Sequence, residues 1–252
     1  MSDILTLDGI TVAFDGFTVL DDLSLNVAQG ELRFLIGPNG AGKTTLLDLL
    51  TGKVRPLSGT ATYDGDVDLT RETEHMIVRM GIGRKFQTPS IYRSLTCYQN
   101  LEVALAFRKP VFALFRSVPA ADRDRIEDAL ETVGLTHRAR TKAGALSHGE
   151  QQWLEIAMVL VQEPKLMLLD EPVAGMTRPD EREKTGYLIQ SLAGKHSVIV
   201  TEHDMEFVRT FANTVTVLHQ GRVLTEGTME EVQNDPTVVE VYLGRSYRKV
   251  EA

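Results

Sequence analysis

Apolar and polar positions alternate through Ile4-Leu5-Thr6-Leu7, Ile10-Thr11-Val12-Ala13-Phe14 and Leu23-Ser24-Leu25-Asn26-Val27. A period of two is what a strand with one buried and one wetted face requires, and Asp15-Gly16 and Gln29-Gly30 break the pattern. The chain is therefore expected to open as a small antiparallel β layer. Leu32 to Ile36 is a short, mostly apolar run that feeds a glycine-rich turn, and Thr44 to Leu50 has helical character, stopped by Gly52 where a helix hands over to a left-handed residue. This predicts strand, loop and helix in that order. Thr60 to Leu69 adds strand and turn, with Tyr63, Val67 and Leu69 set around Asp64-Gly65.

From roughly Thr88 to Pro164 the spacing becomes helical: Ile126, Ala129, Leu130 and Val133 share one face in a charged background, and Gly134 ends the element. Leu166 to Leu169 and Ser197 to Val200 are then short runs of buried-strand type, separated by a polar stretch, Pro179 to Ala193, that can hold a crossover helix. Val215 to Leu218 and Arg222 to Leu224 flank Gln220-Gly221 as a terminal hairpin of undetermined turn type. An α/β core is expected, entered through a β layer and interrupted by helices over approximately 88–164.

Length changes this picture little: 252 residues suit one large domain or a core with a subdomain. Charge narrows the partners. With 27 basic and 35 acidic residues the net charge is −8, which repels polyanions at long range and argues against a nucleic-acid binder. Cys97 is the single cysteine, so an internal disulfide is excluded and a reducing compartment fits. The best apolar stretch, Leu101 to Phe115, is broken by Glu102, Arg108, Lys109 and Pro110 and falls short of a membrane span. The opening residues lack the basic and apolar segments of a signal peptide, and a cytoplasmic location is expected.

Gly37-Pro38-Asn39-Gly40-Ala41-Gly42-Lys43-Thr44 fits G-x-x-x-x-G-K-[ST], in which backbone N–H groups curl around a phosphate chain at a helix N-terminus. Lys43 would reach the outer phosphates and Thr44 would bind Mg²⁺. The motif follows a predicted strand and opens a predicted helix, as that mechanism requires. Leu166-Met167-Leu168-Leu169-Asp170-Glu171-Pro172 places two carboxylates at the C-terminal end of a strand, the edge of an α/β sheet where ligands bind. Alone it also reads as a buried strand ending in a polar turn. Beside a phosphate loop, Asp170 can hold Mg²⁺ and Glu171 can polarise the attacking water.

With these motifs the chain resembles the ATPase subunits of ATP-binding cassette (ABC) transporters. Their Leu-Ser-Gly-Gly-Gln signature has a counterpart in Leu146-Ser147-His148-Gly149-Glu150, just before a helix bearing Trp153, Ile156, Ala157 and Leu160. Taken locally, Ser147 and Glu150 are also an S-x-x-E capping box that starts a helix. The resemblance implies a P-loop NTPase (RecA-like) α/β core over residues 1–252, with an N-terminal antiparallel β subdomain and an inserted α-helical subdomain. It implies ATP and Mg²⁺ as ligands, held by Gly37, Asn39, Gly40, Ala41, Gly42, Lys43, Thr44 and Thr45. Ser147 and Gly149 would face the γ-phosphate bound by a second subunit. Gln87 matches the Q-loop, assisting with Mg²⁺; His203 sits where a switch histidine contacts the γ-phosphate; Phe14 matches an aromatic that stacks on adenine, though as a strand residue it could equally be core.

Two departures accompany the resemblance. His148 replaces a glycine and Glu150 a glutamine, which sets a carboxylate near a triphosphate unless capping turns it away. The loop after Glu171, Ala174-Gly175-Met176-Thr177, also lacks the family's Leu-Asp ending. The implied partners are a second ATP-binding subunit, identical or different, integral membrane permease subunits and, indirectly, an extracytoplasmic solute-binding protein. Gln87 to Tyr98, with Ile91 and Tyr92, would receive the permease, and the chain would lie on the inner face of the cell membrane. Gly81-Ile82-Gly83-Arg84-Lys85-Phe86-Gln87, Pro172-Val173-Ala174-Gly175-Met176-Thr177 and Val239-Glu240-Val241-Tyr242-Leu243-Gly244 are similar to the urea-type subunits of bacterial importers. Branched-chain amino acids, or another amino acid or amide, are the alternative solute.

Overall fold

A computed structural model describes residues 2–87, 90–106 and 119–240. The opening alternation forms two long strands, β1 (Asp3–Phe14) and β2 (Phe17–Ala28), paired antiparallel, with Asp15-Gly16 between them and Gln29-Gly30 after the second. The register shifts between Leu7 and Ile10, so the interruption at Asp8-Gly9 is a bulge inside one strand and not a break between two. Beginning at Phe17, β2 extends well before the alternation at Leu23, because the polar pair Asp21-Asp22 hides its first half. With β4 (Ser58–Tyr63) and β5 (Val67–Asp68), these strands make a four-stranded sheet in the order β2-β1-β4-β5.

The second sheet has six strands in the order β10-β9-β3-β8-β7-β6. Four of them, β3 (Leu32–Ile36), β6 (Ile82–Lys85), β7 (Leu166–Asp170) and β8 (Ser197–Thr201), run parallel to their neighbours. The other two, β9 (Thr214–His219) and β10 (Arg222–Gly227), form the terminal hairpin. Gln220 and Gly221 have φ of 49° and 80°, and two positive values mark the turn as type I′. Every residue of β3, β7 and β8 is buried, which explains why these runs do not alternate. Leu35, Leu168 and Ile199 face a core shared with the antiparallel sheet and α1 (Lys43–Leu50). Phe34, Leu169 and Val200 face a second core roofed by helices.

Between β6 and β7 come α3 (Cys97–Ala106), α4 (Ala120–Thr132) and α5 (His148–Leu160), after the earlier short helix α2 (Glu74–Met80). Ile126, Ala129 and Leu130 are the buried stripe of α4, and Gly134 at φ 72° follows its end. The start of the expected helical segment at Thr88 and the Phe115 end of the Leu101 stretch lie outside the described residues, as does Tyr242-Leu243-Gly244. Crossing between β7 and β8 is α6 (Pro179–Leu192); α7 (Met205–Phe211) and α8 (Met229–Asn234) complete the chain. Among the described residues, no helix is long and apolar enough to cross a membrane.

The helices α2, α7 and α8 and the strand β6 carry no clear periodicity. Each of these elements is seven residues or fewer, too short for a helical or alternating pattern to repeat. Their caps are local: the Asp204 side chain accepts from the amides of Glu206 and Phe207 at the start of α7.

Candidate functional site

The phosphate-type loop leaves β3 and enters α1 with its tip open to solvent: Asn39, Gly40 and Thr44 are exposed, whereas Thr45 is half-buried. Gly42 caps α1 at φ 104°, and a Cβ there would lie 2.6 Å from Leu20 Cδ2. A side chain is thus excluded twice, by backbone conformation and by contact with β2. The Ala41 amide donates to Pro38 O at 3.1 Å and the Gly221 amide to Ala41 O at 3.1 Å, so the terminal hairpin braces the loop. Lys43 Nζ turns back over it, donating to Gly37 O at 2.6 Å and Pro38 O at 3.2 Å. Burial holds the Lys43 ammonium below its ordinary pKa, against the opposing pull of Glu171 and Asp170.

The two acids end β7 in different surroundings. Asp170 is buried: its Oδ1 accepts from Thr201 Oγ1 at 2.7 Å and its Oδ2 from Arg84 Nη2 at 2.9 Å. Glu171 stands at φ 45°, a left-handed conformation that costs a non-glycine residue about 1–3 kcal/mol. Its amide donates to Thr201 O at 3.1 Å, which fixes the turn that lifts its carboxylate out of the sheet edge. Gln87 Nε2 donates to Glu171 Oε2 at 2.7 Å, and His203 Nδ1 lies 3.4 Å from Glu171 Oε1. Gln87 and His203, 116 positions apart in sequence, therefore converge on one carboxylate.

Thr44, Gln87 and Asp170 offer a hydroxyl, an amide oxygen and a carboxylate, a hard donor set that fits Mg²⁺. Among the described residues no group of three or more His, Cys, Asp or Glu side chains could hold a metal alone. That suits a cation that takes one or two carboxylates and completes its shell with water and phosphate oxygens. Phe14 is 46% exposed and sits opposite Phe17 at the β1–β2 turn, so the core alternative does not describe it. Three residues beyond Phe17, Leu20 abuts Gly42, which sets this hairpin beside the phosphate-type loop.

Ser147 caps α5. Its Oγ accepts from the Glu150 amide at 3.1 Å while Glu150 Oε2 accepts from the Ser147 amide at 2.9 Å, a complete capping box. Arg138 Nε donates to Glu150 Oε1 at 3.1 Å. The acid is thus turned back onto its own helix end. Burial alone would raise the Glu150 carboxyl; the Ser147 amide and Arg138 outweigh it and hold the pKa below the ordinary value. Gly149 is buried against α6, and Ser147 Oγ also lies 3.4 Å from Glu181 Oε1.

Residues 20–174, more than half of the chain, match the ABC transporter family. The chain is an ABC transporter ATPase. Residues 222–248 match the branched-chain amino acid ATP-binding cassette transporter family, which places this ATPase in that group. It is 36% identical to the high-affinity branched-chain amino acid transport ATP-binding protein LivG of Salmonella typhimurium, across 96% of this chain and 98% of the relative. BraF of Pseudomonas aeruginosa, with the same description, is also 36% identical over the same shares. An ATP-binding cassette of an ABC transporter, solved in its ADP conformation, superposes with a TM-score of 0.85 at 29% identity, covering 97% of this chain and 100% of that one. The mixed α/β ABC fold with its antiparallel β part and helical parts follows from that match.

Two residues that sequence reasoning passed over hold this ABC ATPase site together. Arg84 bridges Asp48 of α1 at 2.5 Å and Asp170 of β7 at 2.9 Å, and its guanidinium lies 4.8 Å from the Phe86 ring centroid. Lys85, fully buried, donates to Phe86 O at 3.0 Å and lies 3.7 Å from Glu155 of α5, an ion pair rather than a hydrogen bond. Burial pushes Lys85 down and Glu155 up. The Ser90 amide, just past the Gln87 turn, donates to Glu155 Oε1 at 2.8 Å. The available signal was a pair of cations inside a four-residue strand, which solvent exposure cannot explain in a sheet covered on both faces. Ile91 packs half-buried against the helical core, and Tyr92 is 46% exposed.

Proposed function

We propose that this ATPase hydrolyses Mg-bound ATP in a facing pair of cassettes, and so energises a bacterial importer whose solute is urea. The convergence of Gln87 and His203 on Glu171, beside Lys43, carries the hydrolytic reading. Lys43 and the amides of Gly37, Asn39, Gly40, Ala41, Gly42, Thr44 and Thr45 cradle the phosphates. Phe14 lies under adenine, giving base affinity without reading a hydrogen-bond pattern. Glu171 accepts a hydrogen bond from the attacking water and orients it, and His203 steadies the γ-phosphate. Thr44, Gln87 and Asp170 hold Mg²⁺, whose charge offsets that of the phosphates.

Ser147 and Gly149 act on the partner subunit's nucleotide from the positive end of α5. A dimeric structure of a bacterial ABC transporter cassette, 26% identical with a TM-score of 0.76 over 89% of this chain, supports pairing. The whole chain acts as one ATPase domain on the cytoplasmic face of the membrane, with the helices of approximately 88–164 and exposed Tyr92 turned to the permease. Lys43→Ala should weaken nucleotide binding, because the loop then loses its only cationic side chain. Unchanged affinity in an equilibrium titration counts against the cradle.

The urea assignment rests on likeness in the segments around Arg84-Lys85-Phe86-Gln87 and Pro172 to Thr177. The names of the LivG and BraF relatives favour a second reading, branched-chain amino acids. Uptake into vesicles reconstituted with the co-purifying permease and solute-binding subunits separates them. Urea-stimulated hydrolysis and urea accumulation support the first; leucine in that role replaces it with the second.

A further inference from the structure

Two of the three departures from the family pattern meet in space. His148, standing where the signature has a glycine, brings its Nε2 to 3.0 Å from Ala174 O in the loop that lacks the usual Leu-Asp ending. For a carbonyl to accept, Nε2 carries the proton. Gln152, one turn along α5, has its amide nitrogen 3.4 Å from the same Nε2, while its buried Oε1 has no partner among the described residues. Turning that amide over replaces a donor beside the protonated Nε2 with an acceptor, so that Oε1 shares the imidazole N–H with Ala174 O. Gly175 makes the approach possible: at φ 75° it sits under the ring, and a Cβ there would come within 2.7 Å of Nε2.

A second, buried tie runs parallel to the first. Trp153 Nε1 donates to Thr185 Oγ1 of α6 at 2.8 Å, and Thr185 Oγ1 lies 3.4 Å from Met176 Sδ. The loop after Glu171 therefore meets α5 directly at Ala174, by an exposed contact, while Met176 lies against Thr185 of α6, whose hydroxyl donates to Glu181 O at 2.7 Å.

We propose that His148 is a positioning residue that fastens the loop following Glu171 to the start of α5, so that signature and loop meet the partner subunit as one rigid piece. The inference rests on the paired-cassette reading above. It assigns to one side chain of this subunit the alignment of Ser147 and Gly149 with its own catalytic carboxylate, three positions before Ala174. Because His148 is exposed, its removal leaves no cavity and does not threaten the fold.

The test compares His148→Gly and His148→Gln in the assembled transporter. His148→Gly should lower kcat about threefold to tenfold, the factor carried by one hydrogen bond of ordinary net strength, with KM for ATP unchanged. Hydrogen exchange at the amides of Ala174 to Met176 should quicken in the same variant. His148→Gln, whose amide N–H can reach the carbonyl, should recover both. Wild-type kcat with His148→Gly, or a lowered kcat with unchanged exchange, overturns the proposal. Ser147→Arg tests the pairing separately: if it still forms nucleotide-driven dimers, the paired-cassette reading fails, whereas intact pairing chemistry with a silent His148→Gly removes only the present inference.

Discussion

The two faces proposed to meet nucleotide are built to different specifications. The phosphate-loop face is set on buried strands: Asp170, Arg84, Thr201 and Lys85 are almost wholly enclosed, and each is held by at least two polar contacts. The signature face is a helix end whose Ser147 and His148 lie in solvent and whose bonds are local or reach Arg138, Glu181 and the Ala174 loop. The first can be stiff before anything binds, since packed interiors resist displacement. In the proposed pair, the second takes its full surroundings from another subunit. Loss of a group should cost chemistry or folding on the first face and only increments on the second.

The largest effect tests the first face at its reacting group. Glu171→Gln should keep ATP binding and lower turnover by about 10²–10⁴-fold, the usual contribution of a positioned general base. Phosphate release by the assembled transporter measures it, and a rate equal to wild type would falsify the role of Glu171. Next comes the scaffold behind it. Lys85→Met takes the cation from Glu155 in a dry site and leaves it only the Ser90 amide, so unfolding stability should fall by about 3–5 kcal/mol, and Lys85→Met with Glu155→Met should recover most of that. Denaturant melts that place the single variant level with wild type would show that the pair is not needed for stability.

On the signature face the expected changes are smaller. Ser147→Ala removes one cap and should cost about 1 kcal/mol in the same melts. A loss as large as that of Lys85→Met would erase the contrast between the faces. The mildest effect concerns acid. Because the Glu150 carboxyl titrates lower in the folded chain than in the unfolded one, its contribution is complete above the ordinary carboxylate pKa and is lost as pH falls through the folded value. Glu150→Gln should therefore flatten the acid limb of a stability-against-pH curve; an unchanged limb would show that the box contributes no pH dependence.

Legibility in the sequence follows the same division. Phosphate loops advertise themselves, because close backbone approach demands glycines at fixed spacing, and the buried strands that carry them lack alternation in a recognisable way. The capping box at Ser147 and Glu150 was equally readable, since both partners lie within one helical turn. What stayed hidden depends on contacts distant in sequence. Arg84 joins Asp48 to Asp170, and Lys85 meets Glu155, pairings of 36, 86 and 70 positions that no local pattern encodes. The turn residues Asp15-Gly16 and Gln29-Gly30 were readable for the opposite reason: each lies immediately beyond the strand it ends.

The buried Lys85–Glu155 pair also constrains how this chain can change over generations. Replacing either partner first strands the other as an uncompensated charge, at about 3–5 kcal/mol, a large part of the roughly 5–15 kcal/mol that keeps a domain folded. Replacing both can be neutral or better. The two positions are thus separated from an apolar alternative by a valley that single substitutions seldom cross, so descendants should retain the pair or exchange both members together. A scan of one substitution at a time would score both sites as indispensable, although what the fold requires is only that they agree.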